Sequence, residues 1–257
     1  MQEREREETI LRLLAMRKYV HIRDVVESTG ASEATLRRDF IRMEKKNQLN
    51  RVRGGIEQPK SEFKSFSDTS EPPFFHRINI NRKQKQRIAQ AACSELREGE
   101  IIMLDGGTTS YHMVECIPRL RLNIITNSLA IAEYLIKFSN CTVSLPEGNI
   151  EPSSLLILNN LHSDPFMNYN ASKVYMGIEG ITADGLTNSQ PQYIQTKLAM
   201  IKHSEELIIL ADETKFGKVC LLTLCGIDKV SRVITTTKTD QKIIKQLRAK
   251  GIDVITV

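Results

Sequence analysis

Seven short apolar runs recur between residues 101 and 257: IIML (101–104), LNIIT (122–126), CTVSL (141–145), KVYMG (173–177), LIILA (207–211), RVITT (232–236) and DVITV (253–257). Each is of strand length. Helix-like segments lie between several of them, among them LAIAEYLIKF, QTKLAMIKHS and DQKIIKQLRA. This alternation predicts an α/β domain, a mostly parallel sheet covered by helices. Ligands in such folds collect outside the carboxyl ends of the strands.

The residues at those ends are therefore the first candidates for a site. The run at 101–104 ends in Asp105-Gly-Gly-Thr-Thr-Ser110, and the next ends in Thr126-Asn127-Ser128. Gly177 and Gly180 follow the fourth run, and Asp212-Glu213-Thr214-Lys215-Phe216-Gly217 follows the fifth. Gly106 and Gly107 can bring backbone N–H groups close to an anion. Thr108, Thr109 and Ser110 can add hydroxyl donors near the start of the next helix. Lys85, Lys197 and Lys215 are candidate cations for a phosphate or for a structural carboxylate pair.

The first sixty residues differ in charge. They hold 14 Lys or Arg against 10 Asp or Glu, whereas residues 61–257 hold 22 against 21. A concentrated excess points to nucleic acid better than net charge does. Ile10, Leu11, Leu13 and Leu14 have helical spacing in ETILRLLAMRKYV (8–20). Ile22, Val25 and Val26 form a second short apolar face, stopped by Gly30. Ser32 then caps a third helix, with Leu36, Phe40 and Met43 on one face and Arg37, Arg38, Arg42, Lys45 and Lys46 around the rest. Three short helices of this kind make a helix-turn-helix. The third would enter the major groove, with Ala34 and Thr35 in its leading turn. LNRVRGGI (49–56) reads as two strands around a Gly54-Gly55 turn, a wing carrying Arg51 and Arg53. A solvated basic helix on an ordinary bundle has the same charge; the compact triplet and the basic glycine turn favour DNA.

VVESTGASEATLRRDFIRMEKKNQLNRVRGGI resembles the N-terminal winged helix of the DeoR family of bacterial transcriptional regulators. That family has a Ser-x-x-Thr-(Ile/Leu)-Arg-Arg-Asp stretch and a basic wing ending in Gly-Gly. Ser32, Thr35, Leu36, Arg37, Arg38, Asp39, Gly54 and Gly55 match it. LDGGTTS, ITNS, MGIEGITADGLT and ILADETKFGK resemble the family's later motifs, so the resemblance covers nearly the whole chain. It implies a larger domain like ribose-5-phosphate isomerase and the CoA-transferase fold. It also implies a repressor of carbohydrate or polyol catabolic genes that answers to a phosphorylated intermediate. On this reading DNA is contacted through Ser32, Ala34, Thr35, Arg37, Arg38, Arg42, Arg51, Arg53, Gly54 and Gly55. The effector is contacted through Lys85, Asp105, Gly107, Thr108, Thr109, Thr126, Asn127, Gly148, Gly177, Lys197, Asp212 and Lys215.

The chain departs from the family pattern twice. Pro146-Glu147-Gly148 stands where paired glycines are usual, and NSQPQYIQTK brings no carboxylate ahead of Lys197. Two alternatives to an effector-responsive repressor thus stay open. One is a regulator with a degenerate pocket, acting without the usual effector or as an activator. The other is an isomerase-like enzyme fused to a DNA-binding module. Against the enzyme, no pair of carboxylates has a spacing that implies joint acid–base work, and the five histidines form no metal-ligand spacing.

The expected organisation is a winged helix-turn-helix at 1–57, a linker rich in serine, proline and charge at 58–76, and an effector-sensing and oligomerisation domain at 77–257. Phe63, Phe66, Phe74 and Phe75 are candidates for packing at a domain seam. No cofactor or metal is expected. The expected partners are an operator duplex, a small phosphorylated sugar or polyol, and further copies of the chain in a dimer or tetramer. No apolar run approaches the roughly 20 residues that cross a bilayer. The N-terminus is charged from its second residue onward, and the five cysteines form no CxxC pair. Cytoplasmic location with reduced thiols is the expectation.

Overall fold

The structure is a computed structural model and describes residues 3–16, 19–46, 48–52, 54–57, 73–159 and 164–257. The chain divides into two compact units, Met1–Ser70 and Glu71–Val257. The smaller runs α1 (Glu3–Met16), β1 (Tyr19–His21), α2 (Ile22–Thr29), α3 (Glu33–Lys45), β2 (Asn50–Val52) and β3 (Gly55–Glu57). Ile10, Leu14, Val20, Val25, Leu36, Phe40, Met43, Leu49 and Ile56 form its buried core. Gly30 ends α2 in the left-handed region at φ 67°, returning its N–H to the Val26 carbonyl at 2.8 Å. A residue with a Cβ adopts that conformation only at a cost. The Ser32 hydroxyl accepts from the Thr35 N–H and caps α3.

The periodicity at 8–20 predicts helix through Val20, but α1 ends at Met16 and Tyr19–His21 is a strand. Tyr19-Val20-His21 pairs antiparallel with β3, setting Val20 opposite Ile56, and both side chains are buried. A β-branched residue on a half-buried sheet gains more there than in another helical turn. The three strands lie in the order β1-β3-β2.

Asp39 ties the recognition helix to α1. Its side chain is buried, and its two oxygens accept from Arg6 Nε at 2.9 Å and from Arg42 at 2.7 Å. Arg42 Nε also donates to Glu7 at 3.0 Å. A buried carboxylate persists when charged donors satisfy it in this way.

The larger unit runs α4 (Phe74–Arg77), α5 (Arg82–Cys93), β4 (Ile101–Leu104), α6 (Thr108–Tyr111), β5 (Asn123–Thr126), α7 (Leu129–Phe138), β6 (Thr142–Ser144), β7 (Asn149–Glu151), β8 (Leu156–Leu158) and β9 (Ala171–Gly177). It continues with β10 (Gly180–Ile181), β11 (Gly185–Asn188), α8 (Pro191–Lys202), β12 (Ser204–Leu210), β13 (Leu222–Gly226), β14 (Arg232–Thr235), α9 (Gln241–Ala249) and β15 (Asp253–Thr256). All seven apolar runs are strands of one sheet, ordered β15-β14-β12-β9-β4-β5-β6, with every pairing parallel. Alternate residues serve opposite faces. Met103, Ile125, Val174, Met176, Ile209 and Val233 pack with Met200 of α8 and Ile244 and Leu247 of α9. Ile102, Leu104, Ile124, Tyr175, Ile208 and Ile234 pack with Ile88 and Ala92 of α5 and Ile131 and Leu135 of α7.

Two small antiparallel sheets, β7-β8 and β10-β11-β13, lie outside the apolar runs. The expected linker also ends sooner than 76. Phe74 is buried in α4, its ring 5.4 Å from that of Tyr111, so residues 74–76 belong to the larger unit. Phe63 and Phe66 lie outside the described residues. All five cysteines are free thiols.

Replacing Asp39 with alanine leaves Arg6 and Arg42 without their shared buried acceptor. The unfolding transition of the smaller unit should fall by several degrees while that of the larger unit stays in place. Differential scanning calorimetry of the full chain checks this; an unchanged first transition would refute the role given to Asp39.

Candidate functional site

Each unit carries one candidate site. In the smaller, Ser32, Ala34, Arg37 and Arg38 are exposed along the leading half of α3, and Thr35 is half-buried. Arg37 pairs with Glu33 at 3.2 Å, one helical turn away, and both side chains are exposed. Such a pair is weak and opens readily for a phosphate. Arg38 makes no ion pair among the described residues. Gly54 lies at φ 87° in the wing turn, and a Cβ on Gly55 would fall 2.2 Å from the Val20 carbonyl, so the turn needs glycine at both positions.

Two expected DNA contacts are engaged otherwise. Arg42 is held by Glu7, Asp39 and Glu3, which makes it a strut between α3 and α1. Arg51 donates its backbone N–H and its Nε to the Glu44 carboxylate, at 2.9 and 2.6 Å, and these bonds hold that carboxyl below its ordinary pKa. Arg53 lies outside the described residues.

In the larger unit the strand order itself locates the site. From β4 the chain steps outward to β5 and β6, then returns to β9 on the other side of β4 and steps outward through β12, β14 and β15. The order reverses between β4 and β9, and a crevice opens at the carboxyl ends of such a strand pair. Asp105 leaves β4 there and Gly177 ends β9. Lys197 Nζ, on α8, donates to Asp105 Oδ2 at 2.6 Å and to the Gly177 carbonyl at 2.8 Å. The Gly177 N–H also donates to Asp105 Oδ2. Lys197 is buried. Of the two roles open to it, the structure gives it the carboxylate pair.

The turn after Asp105 is held from both sides. The Gly106 N–H donates to Asn127 Oδ1 at 3.0 Å, and the Thr126 hydroxyl donates to the Leu104 carbonyl at 2.7 Å. Thr126 and Asn127 thus shape the turn, and the Gly106 N–H is already engaged. The β7–β8 hairpin covers it: Ile157 N–H donates to the Asn127 carbonyl, and a Cβ on Gly106 would lie 1.9 Å from Leu156. Gly107 then starts α6, whose leading N–H groups have no acceptor within the helix. The Thr108 and Thr109 side chains are buried beside them. Ser110 turns away, its hydroxyl donating to the Tyr175 carbonyl.

Lys85 of α5 is the second buried lysine at this end of the sheet. Its Nζ donates to Thr108 Oγ1 at 2.9 Å and to the Arg77 carbonyl at 2.7 Å. An ammonium has three donors, so one direction remains. Burial pushes the pKa of Lys85 down to about 8; Asp212 opposes the shift, while Lys215 and Arg77 reinforce it. Asp212 accepts from Asn81 at 3.3 Å and caps the short turn that carries Lys215. The result is a cationic group, Lys85 with Lys215 and Arg77, beside two hydroxyls and the free N–H groups of a helical turn. Donors of this kind, grouped in this way, suit an oxyanion.

Gly148 does not join it. It is exposed at φ 149° ahead of β7, against the Leu158 carbonyl and Ile157, and Glu147 beside it is exposed as well. Glu179 is a further buried carboxylate near this end of the sheet. It is buried two residues beyond Gly177, and its carboxylate accepts from Asn188, the Ser189 N–H and the Ser189 hydroxyl. Asn81 and Leu156 were missed. Asn81 has φ 53° just before α5, a conformation asparagine tolerates, and an Asn at a helix entrance was the available signal.

Both units match families of known proteins. Residues 6–62 match the DeoR-like helix-turn-helix domain, and residues 80–237 match the DeoR C terminal sensor domain. The HTH-type transcriptional regulator YulB of Bacillus subtilis is 28% identical over 257 residues, covering 98% of this chain and 96% of that one. The HTH-type transcriptional regulator UlaR of Shigella sonnei is 27% identical over 261 residues, covering 100% of both. Among solved structures, ribose 5-phosphate isomerase A from Methanocaldococcus jannaschii aligns with a TM-score of 0.39 at 15% identity, over 53% of this chain and 55% of that one. With a helix-turn-helix in one unit and a sensor domain spanning most of the other, the chain belongs to the DeoR family of transcriptional regulators.

Proposed function

We propose that this regulator represses carbohydrate or polyol catabolic genes and that a phosphorylated sugar or polyol, bound at Thr108, Thr109, Lys85 and Lys215, modulates its hold on the operator. The observation that carries the reading is Lys85. A buried ammonium held against Thr108, at the mouth of a helical turn and near Lys215, suits a phosphate better than any neutral ligand. Catalysis is not part of the proposal. Among the described residues the buried carboxylates are already engaged, Asp105 by Lys197, Glu179 by Asn188 and Ser189, and Asp212 by Asn81 and Thr214. A symmetric oligomer in the cytoplasm completes the proposal, because one helix-turn-helix per chain reads paired half-sites as a dimer or higher assembly. Among the described residues no helix is long and apolar enough to cross a membrane.

A second reading, a pocket that no longer takes a sugar phosphate, is favoured by Lys197. Its pairing with Asp105 removes one cation from the crevice. Titrating operator fragments with a panel of sugar and polyol phosphates separates the two. The first expects a changed affinity with at least one of them. Unchanged affinity with every one supports the second.

Anion binding should follow the charge of Lys85. Its pKa of about 8 means that the ammonium is present below that pH and lost above it. A phosphate monoester is already dianionic there, its second pKa being about 6. Burial lowers the pKa of His112, so it does not titrate in the window. The affinity of a bound phosphate ester should thus weaken by up to about tenfold per pH unit above 8. Isothermal titration calorimetry between pH 7 and 9.5 checks it; a flat profile would count against contact with Lys85.

Arg38 is the expected phosphate or base contact of α3. Arg38→Ala should weaken operator binding at fixed salt, lower the salt slope by about 1 if the contact is a phosphate, and leave unfolding unchanged. Anisotropy titrations at several salt concentrations decide this, and wild-type affinity throughout would remove Arg38 from the interface.

A further inference from the structure

The helix α3 carries one side chain that neither its core nor its charge explains. Leu36, Phe40 and Met43 are buried on one face. At about 100° per residue, Ala34, Arg37, Arg38, Ile41 and Lys45 fall on the opposite face, within a sector of about 100°. All five are exposed. Ile41 lies inside that sector, with Arg37 to one side and Arg38 to the other. It is the only large apolar side chain that α3 leaves exposed, at 41%.

Single exposed apolar side chains are common and need no partner. The surroundings of this one set it apart. Ile41 is outside the apolar core of its unit, and as a β-branched residue it supports a helix less well than Lys, Arg or Glu would. It also lines a depression between α3 and the wing, together with Ile22, Phe40 and Val52, and Arg37 and Arg51 line the same depression. An apolar surface between guanidinium groups suits a partner that is negative along its edges and apolar at one point.

Duplex DNA has that pattern. Its phosphates carry the charge. The base edges in the major groove present hydrogen-bond donors and acceptors, and the thymine 5-methyl is the apolar group among them. Isoleucine makes no side-chain hydrogen bond, so against a G·C edge it would displace water from polar atoms and leave them unpaired. Against a thymine methyl it buries apolar area on both partners.

We propose that Ile41 is a specificity-determining residue of this regulator: it packs on the 5-methyl group of a thymine in the operator, while Arg37 and Arg38 hold the duplex on either side. This rests on the reading in which α3 enters the major groove, and it adds which base the middle of that face selects. The arginines supply affinity for the duplex, and Ile41 supplies preference among sequences.

In vitro selection with the full chain, from a pool of random duplexes at fixed salt, supplies the probe. Each thymine of the selected duplex is then replaced in turn by deoxyuridine, which removes the methyl and nothing else. At one thymine or more the affinity should fall by about fourfold, the factor that goes with one buried group of methylene size. In Ile41→Ala, the thymine and deoxyuridine duplexes should bind alike at that position; the residue is exposed, so the variant keeps its fold. Arg38→Ala should weaken both duplexes equally and preserve the fourfold ratio. A wild-type protein indifferent to every methyl would overturn the proposal, and so would a fourfold ratio that survives in Ile41→Ala; in either case weakened binding by Arg38→Ala leaves α3 in the groove. Wild-type affinity in both variants would take α3 out of the groove, and both readings would fall.

Discussion

The ion pair between Asp105 and Lys197 holds the larger unit together at the point where its sheet changes direction. Residues 92 positions apart meet there, and three elements depend on them: the end of β4, the end of β9 and the middle of α8. Burying two charges costs several kcal/mol per ion before any gain. Here Asp105 Oδ2 takes both the lysine and the Gly177 N–H, and the lysine also reaches the Gly177 carbonyl. Gly107 and Gly177 lie close together there: a Cβ on Gly107 would stand 3.4 Å from the Gly177 backbone, in van der Waals contact. Lys197 is thus engaged within the protein, and Lys85, held against Thr108, is the buried lysine on which the proposed anion site rests.

The layout of the sheet was legible because it rests on local composition. The central runs are buried along most of their length, each of the seven shows in the sequence as a short, largely apolar stretch, and all seven are parallel strands of one sheet. The small antiparallel sheets were not legible for the converse reason. β7 is exposed or half-buried along its length, and β10 has two residues, so neither has a run to read. Their positions follow from contacts made far along the chain, such as Ile157 on Asn127. The turn at 104–110 was identified as a candidate anion turn from its residue types. Its partners were half seen: Lys85 was named, whereas Asn81 shows only as an asparagine at a helix entrance and Leu156 comes from a segment with no local mark of the role.

The smaller unit makes the same point about charge. Arg37, Arg38, Arg42 and Arg51 look alike in a sequence, and their tasks separate only when acidic neighbours are placed. Glu3 and Glu7, one turn apart on α1, face Arg42, and Glu44 faces Arg51. Arg38 has no such neighbour among the described residues, and Arg37 has only an exposed one. Among the described residues of α3, Arg37 and Arg38 thus stay exposed on its leading half, while Arg42 is engaged within the unit. The Asp39 of the family motif owes its place to the same network. It supports the helix from behind while the arginines beside it face outward.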